Sequence, residues 1–172
     1  MIAAPEPLTA DHAIAGFDSG VPSLDDWLRQ RALHNQASGA SRCFVVCDDD
    51  RVVAYYALAA SAVAPSAAPG RFKRNMPDPI PVVVLARLAI AGSHQGHGLG
   101  RALFQDAAHR VIHASDAIGI RGMLVHAILD EAKSSYVRLG LTPSPFEPMT
   151  LMTTVADLKA SLASELSGPR PL

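Results

Sequence analysis

Apolar and polar positions change their period several times along the chain. Leu24, Trp27 and Leu28 recur at helical spacing, continued by the aliphatic stem of Arg31. Ser23 with Asp26 three residues on reads as a capping box, which predicts a helix from about Leu24 to Gln36, ended by Ser38 and Gly39. Cys43 to Cys47 is a strand-like run bounded by Asp48, Asp49 and Asp50, and Val52 to Val63 is a second apolar run. Together they predict a hairpin. Val82 to Ile90 is apolar almost throughout, the pattern of a strand buried on both faces at the centre of a sheet, with Arg87 as the one interruption. A helix follows to about Ala117, with Leu99, Leu103, Ala107 and Val111 as its stripe. Gly122 to Ile128 predicts another buried strand, and Asp130 to Leu139 a short helix with Gly140 as its stop. Thr150 to Thr153 predicts a final strand. Thr154 with Asp157 then caps a helix running to about Leu166. Residues 1–22 are punctuated by Pro, Asp and Gly and leave room for one short strand. Residues 65–81 hold five prolines with Arg71, Lys73 and Arg74, which predicts an exposed basic loop without regular pairing. A frayed tail is expected at 168–172. The sum is a mixed α/β layer fold.

Composition narrows the class. A chain of 172 residues, 49% apolar and 18% charged, is globular and predicts one domain over 1–172. The net charge of −1 offers no global field for a polyanion, so such a partner needs a local basic patch. Cys43 and Cys47 are four apart in a strand-like run and read as two buried thiols in a reducing compartment. The first residues lack a basic segment before an apolar one, and no apolar run approaches the roughly 20 residues of a membrane span. The expectation is a soluble cytoplasmic protein without membrane contact.

The candidate chemistry lies between the long strand and the long helix. Gln95, Gly96, His97, Gly98, Leu99, Gly100 and Arg101 occupy a strand-to-helix turn. There successive N–H groups can converge on one anion, and glycine removes the Cβ that would bar its approach. The helix adds its positive end. No Lys-Ser/Thr pair follows the last glycine, as a Walker loop requires, and the glycine spacing is not that of a dinucleotide turn. The remaining alternative is a structural turn that holds no ligand. His109 and His113 share a helix face, but no third ligand accompanies them, so no metal site is expected.

The spacing Gln95-x-x-Gly98-x-Gly100 resembles the Q/R-x-x-G-x-G/A pyrophosphate signature of the GNAT acyltransferases. Ala132-x-x-x-Tyr136-x-x-x-Gly140-Leu141 resembles that family's second landmark. The resemblance implies a GNAT fold: a central mixed sheet with an N-terminal antiparallel hairpin, flanked by helices. It implies acetyl-CoA as co-substrate, with Leu88, Ala89 and Ile90 bonding the pantetheine arm and amides from Gln95 to Arg101 holding the pyrophosphate. It also implies that Tyr136 protonates the leaving thiolate; the alternative for Tyr136 is a helix-face core aromatic. Leu129 stands where many members carry Asn, and Leu141 where Phe is common.

Further segments extend the likeness. Phe17 to Gly20, Leu24-Asp25-x-Trp27-Leu28, Gln36 to Gly39, Val53 to Leu58 and Val84 to Ala89 occur in order. The set resembles the GNAT toxins of type II toxin–antitoxin pairs, the TacT/AtaT-like group, over nearly the whole chain. That implies an enzyme acetylating the α-amine of aminoacyl-tRNA and blocking translation, a ribbon–helix–helix antitoxin as partner, and a homodimer. Residues 82–90 contain no Asp or Glu to act as a general base. An α-amine titrates near 7.7–8.0 against about 10.4 for lysine, so it tolerates that absence. Arg29, Arg42, Arg71, Lys73, Arg74 and Arg87 are candidates for tRNA phosphate, the alternative for the first five being ordinary solvated charge. Arg87 is either a structural ion-pair member or a group turned into the cleft. The alternatives for function are a GNAT acetyltransferase of a small amine or protein N-terminus, and a catalytically silent CoA-binding module.

Overall fold

In the computed structural model, residues 1–167 are described; the tail expected at 168–172 lies outside them. The chain runs β1 (Glu6–Pro7), α1 (Pro22–Gln30), α2 (Ala32–Ser38), β2 (Arg42–Asp48), β3 (Arg51–Val63), α3 (Gly70–Lys73) and β4 (Ile80–Ile90). Then come α4 (Leu99–Ser115), β5 (Gly122–His126), α5 (Asp130–Arg138), β6 (Thr142–Pro143), β7 (Thr150–Thr154) and α6 (Val155–Ser167). The strands form a seven-stranded sheet in the order β1-β2-β3-β4-β5-β7-β6, the mixed α/β arrangement the pattern predicts. No helix among the described residues is long and apolar enough to cross a membrane.

The residues group into two compact units. The first comprises Met1–Ala59 and Leu85–Ala107. Its β2–β3 hairpin is antiparallel as expected, from Arg42 opposite Leu58 to Asp48 opposite Arg51, with a bulge between Val46 and Cys47. Cys43 and Cys47 are free and buried, in agreement with the sequence. Burial raises the Cys43 thiol pKa to about 12, so it is an inert core group. Leu28, Ala32, Val45, Tyr55, Tyr56, Ala57, Leu103 and Ala107 are essentially inaccessible.

Helix 24–36 is corrected to two helices, because the chain breaks at Arg31 (φ −121°) before resuming at Ala32. The capping box is corrected too. The N-cap is Val21, with Pro22 opening the helix and Ser23 inside its first turn. Gly39 stops α2 at φ +81°, a backbone that favours glycine.

The second unit comprises Ala60–Val84 and the residues from Ala108 onward. Here β5 and β7 pair antiparallel from Gly122 opposite Thr154 to His126 opposite Thr150, and β6 pairs the other edge of β7. The proline-rich segment exposes Arg71, Lys73 and Arg74 as expected, but it includes the short helix α3 and is pinned at one point. Phe72, on α3, enters a cluster with Ala68, Ile80, Val82, Leu124 and Met152. Burying a phenylalanine is worth about 1.5–3 kcal/mol, enough to anchor the segment. Arg121 reinforces it, donating from Nε to the Phe72 carbonyl at 2.8 Å and from Nη2 to that of Arg71 at 2.8 Å. Proline 81, expected in the loop, lies in β4. Thr154 caps α6 as predicted, its Oγ1 accepting from Asp157 N at 3.0 Å. Gly140 follows α5 at φ +99°.

At Gly122 the fold needs a hydrogen for a different reason. A Cβ there would meet the Thr153 carbonyl oxygen at 2.0 Å and Phe72 Cε2 at 2.8 Å. Gly122→Ala is therefore expected to destabilise the protein by about 3 kcal/mol, the upper end for overpacking. Urea unfolding of the two proteins side by side measures it.

Candidate active site

The turn after β4 is built on the segment Phe17–Gly20. Ser19 donates from both its backbone N and its Oγ to Asp25 Oδ1, at 3.0 and 2.6 Å, and Asp25 is buried on α1. Arg29 Nη1 donates to the Phe17 carbonyl at 2.7 Å. Thus α1 clamps the segment at two points. The segment in turn holds the turn: Asp18 O accepts from Gly92 N at 2.9 Å, and Ser19 O accepts from Gln95 Nε2 at 2.8 Å. Gln95 Nε2 also donates to the Ile90 carbonyl at 2.9 Å, so one side-chain amide ties the end of β4 to the Phe17–Gly20 strip.

From that fixed point the backbone turns through Gly96 (φ +79°) and Gly98 (φ +83°) into α4. These left-handed values, not crowding, call for glycine, since a Cβ at either position would meet nothing within 4 Å. Gly100 lies in the first turn of α4. Among the described residues, the N–H groups of Gly96, His97 and Gly98 donate to no backbone carbonyl. In the first turn of α4, the Ala102 N–H donates back to the Gly98 carbonyl at 3.2 Å. His97 and Arg101 are exposed beside them. The result is a run of amides at Gly96, His97 and Gly98 at the positive end of a 17-residue helix, a geometry suited to an anion. Leu88 and Ile90 are half-buried and Ala89 buried on the strand that leads to it. The strand's burial is a correction: in β4 only Ile80, Val82, Leu85 and Ala89 are buried and the rest are half-buried, so it is not sealed on both faces.

The same unit carries Arg29, Arg42 and Arg87. Arg42 Nη1 donates to the Gln36 carbonyl at 2.9 Å, and Arg29 also pairs with Asp26 at 3.0 Å. Arg87 is half-buried with its guanidinium carbon 5.3 Å from the centre of the Trp27 ring. Trp27 stacks on Tyr55, ring centres 5.8 Å apart at 10°.

The second unit carries Tyr136, Arg71, Lys73 and Arg74. Tyr136 is half-buried on α5, and desolvation raises its phenol to about 12. Arg71 makes a two-point pair with Asp157, at 3.1 and 2.7 Å. Lys73 and Arg74 are exposed. Sequence reading missed the roles of Ser19, Asp25, Tyr55 and Arg121, because each acts through a partner remote in the chain. It also missed a trio with metal-ligand atoms within 4.8 Å of one another, Glu6, His12 and Cys47. In it His12 already bonds Glu6 Oε1 at 2.7 Å and the Thr9 N–H at 2.9 Å.

Comparison with known proteins identifies the family. Residues 9–140 match the acetyltransferase (GNAT) family. The chain is 50% identical over 157 residues to a tRNA-acetylating toxin of Mycobacterium tuberculosis (strain ATCC 25618 / H37Rv), covering 91% of this chain and 95% of that one. It is similar to the structure of AtaT complexed with acetyl-methionyl-tRNAfMet, with TM-score 0.86, 29% identity, and 94% and 99% of the two chains covered. It is also similar to a tyrosine-to-phenylalanine mutant of AtaT bound to the C-terminus of the antitoxin AtaR and acetyl-CoA. There the TM-score is 0.81, identity is 28%, and 95% and 99% are covered.

The Ser19–Asp25 clamp has a measurable consequence. Asp25→Ala leaves a buried N–H and a hydroxyl without their acceptor, which costs about 1–3 kcal/mol. Ser19→Ala keeps the N–H bond to Asp25 and is expected to cost less. Denaturant midpoints of the two variants test that order.

Proposed function

The chain belongs to the GNAT acetyltransferase family, and on that premise we propose that it is a toxin that acetylates the α-amine of aminoacyl-tRNA and so blocks translation. The observation that carries this reading is its 50% identity, over 91% of its length, to a tRNA-acetylating toxin. The run of amides at Gly96, His97 and Gly98 supports it independently, since a diphosphate carrier needs such donors. Acetyl-CoA is the co-substrate. Its pyrophosphate lies on the amides from Gln95 to Arg101, and its pantetheine arm along Leu88–Ile90. In this reading the Gln95 side chain shapes the nest, its amide already bonding two protein carbonyls. Lys73 and Arg74, exposed and basic, contact tRNA phosphate. A ribbon–helix–helix antitoxin neutralises the enzyme, which acts as a homodimer in the cytoplasm.

In the reaction, the neutral α-amine attacks the thioester carbonyl, a C–N bond forms, and the C–S bond breaks. Tyr136 Oη gives its proton to the departing sulfur. A phenol near 12 is a weaker acid than a thiol of about 8.5, so outright transfer is uphill. The step runs downhill as a relay, in which the phenol oxygen takes up the proton that the new amide nitrogen sheds as it gives its own to sulfur. No net proton stays on Tyr136, and the products are the N-acetyl aminoacyl-tRNA and free CoA thiol.

Two measurements test this. With labelled acetyl-CoA and a total charged-tRNA pool, wild type is expected to label the aminoacyl group. Tyr136→Phe is expected to reduce kcat by about 100-fold or more, with acetyl-CoA binding retained. No label on tRNA by an enzyme that binds acetyl-CoA would redirect the assignment to small amines or protein N-termini. The pH profile follows from the raised phenol pKa. The rate climbs with pH as the α-amine loses its proton, at or below about 8. It then stays level to at least about pH 10, because Tyr136 remains protonated. A falling limb between pH 8 and 10 that disappears in the phenylalanine variant would contradict the raised phenol pKa, whereas an unchanged kcat in that variant would contradict the acid role.

A further inference from the structure

Arg87 directly precedes Leu88 on β4, a half-buried cation with no counter-ion among the described residues. Its guanidinium lies over Trp27, which stacks on Tyr55. Tyr55 is itself immobilised: its Oη donates to the Leu24 carbonyl at 2.6 Å, and Phe17 packs edge-on at 5.5 Å and 70°. The guanidinium thus sits over an indole that is itself backed by the phenol ring. One Arg87 donor is in use, Nη1 to the Ala86 carbonyl at 2.9 Å. Among the described residues no carboxylate pairs with it. Withdrawing a cation from water without an anion is unfavourable, whereas an incoming oxyanion converts that cost into affinity. A planar fork with free donors matches two oxygens of one phosphate, which a lysine ammonium cannot reproduce.

Position along the strand indicates which phosphate. The pyrophosphate nest begins beyond Ile90, and Arg87 stands on the other side of Leu88–Ile90, about 10 Å up the strand. On the function proposed above, that is the thioester end of the pantetheine arm, where the acceptor arrives. We propose that Arg87, placed over Trp27, receives a phosphate near the aminoacylated 3′ end of the acceptor tRNA. The binding site for that phosphate is then Arg87 with its Trp27–Tyr55 backing, distinct from the nest that takes the co-substrate.

The test compares two acceptors that share the reacting amine: the charged tRNA, and the methyl ester of the same amino acid, which has no phosphate. For Arg87→Lys, KM for charged tRNA is expected to rise on the order of tenfold. Its kcat/KM on the ester and its acetyl-CoA Kd by calorimetry should stay within about twofold of wild type. Trp27→Leu should move KM for tRNA in the same direction, and Trp27→Phe should restore most of it. A wild-type KM for tRNA in Arg87→Lys would overturn the proposal. Equal losses on both acceptors would also overturn it, assigning Arg87 to the acyl site. Weakened acetyl-CoA binding would do the same, assigning it to the co-substrate. Wild type that modifies the ester but no charged tRNA would sink the tRNA reading itself, and this inference with it.

Discussion

The pair of hydrogen bonds from Ser19 to the buried Asp25 carboxylate is the constraint on which the first unit depends. It joins a loop without regular structure to α1, and that loop supplies the carbonyls of Asp18 and Ser19 to Gly92 and Gln95. A glycine-rich turn has high conformational entropy when free, and its amides converge only if something outside it sets its ends. Here the far end is set by α4 and the near end by Gln95, whose single amide group reads two carbonyls at once. Two bonds to one carboxylate, roughly twice as strong as neutral ones, are well suited to such a hinge point.

The charged residues sort by what already holds them. Arg29, Arg42, Arg71 and Arg121 mostly donate to carbonyls or lie against Asp26 and Asp157, so they staple backbone to backbone. Lys73 and Arg74 are exposed, and Arg87 is half-buried on an aromatic stack. With a net charge of −1, any attraction to a polyanion comes from such local placement and not from the protein's overall field. Tyr136 shows the complementary effect for a neutral group: burial suppresses ionisation and keeps the phenol protonated over the whole useful pH range.

Much was legible in the chain itself, for a local reason. Hydrophobic period identified the hairpin, β4, α4, β5 and α5, because strand and helix patterns repeat every 2 and 3.6 residues whatever surrounds them. Gly39, Gly96, Gly98 and Gly140 were readable because positive φ is a property of one residue. The glycine-rich turn and the family likeness were readable for the same reason, since each is carried by a short run of neighbours.

Whatever needed two distant residues was decided by tertiary structure. The break at Arg31 overrode a continuous helical stripe, and Val21 and Pro22 displaced the Ser23 cap. Phe72 turned a proline-rich loop into a pinned segment, because burying one ring outweighs the loop's local preference for solvent. The aromatic stack under Arg87 unites residues 27, 55 and 87 from three elements, and no spacing announces it. Sequence alone thus determined most of the elements and the glycine-rich turn. Only packing determined which charges are already bonded and which face outward, because hydrogen-bond satisfaction and desolvation are set by neighbours in space.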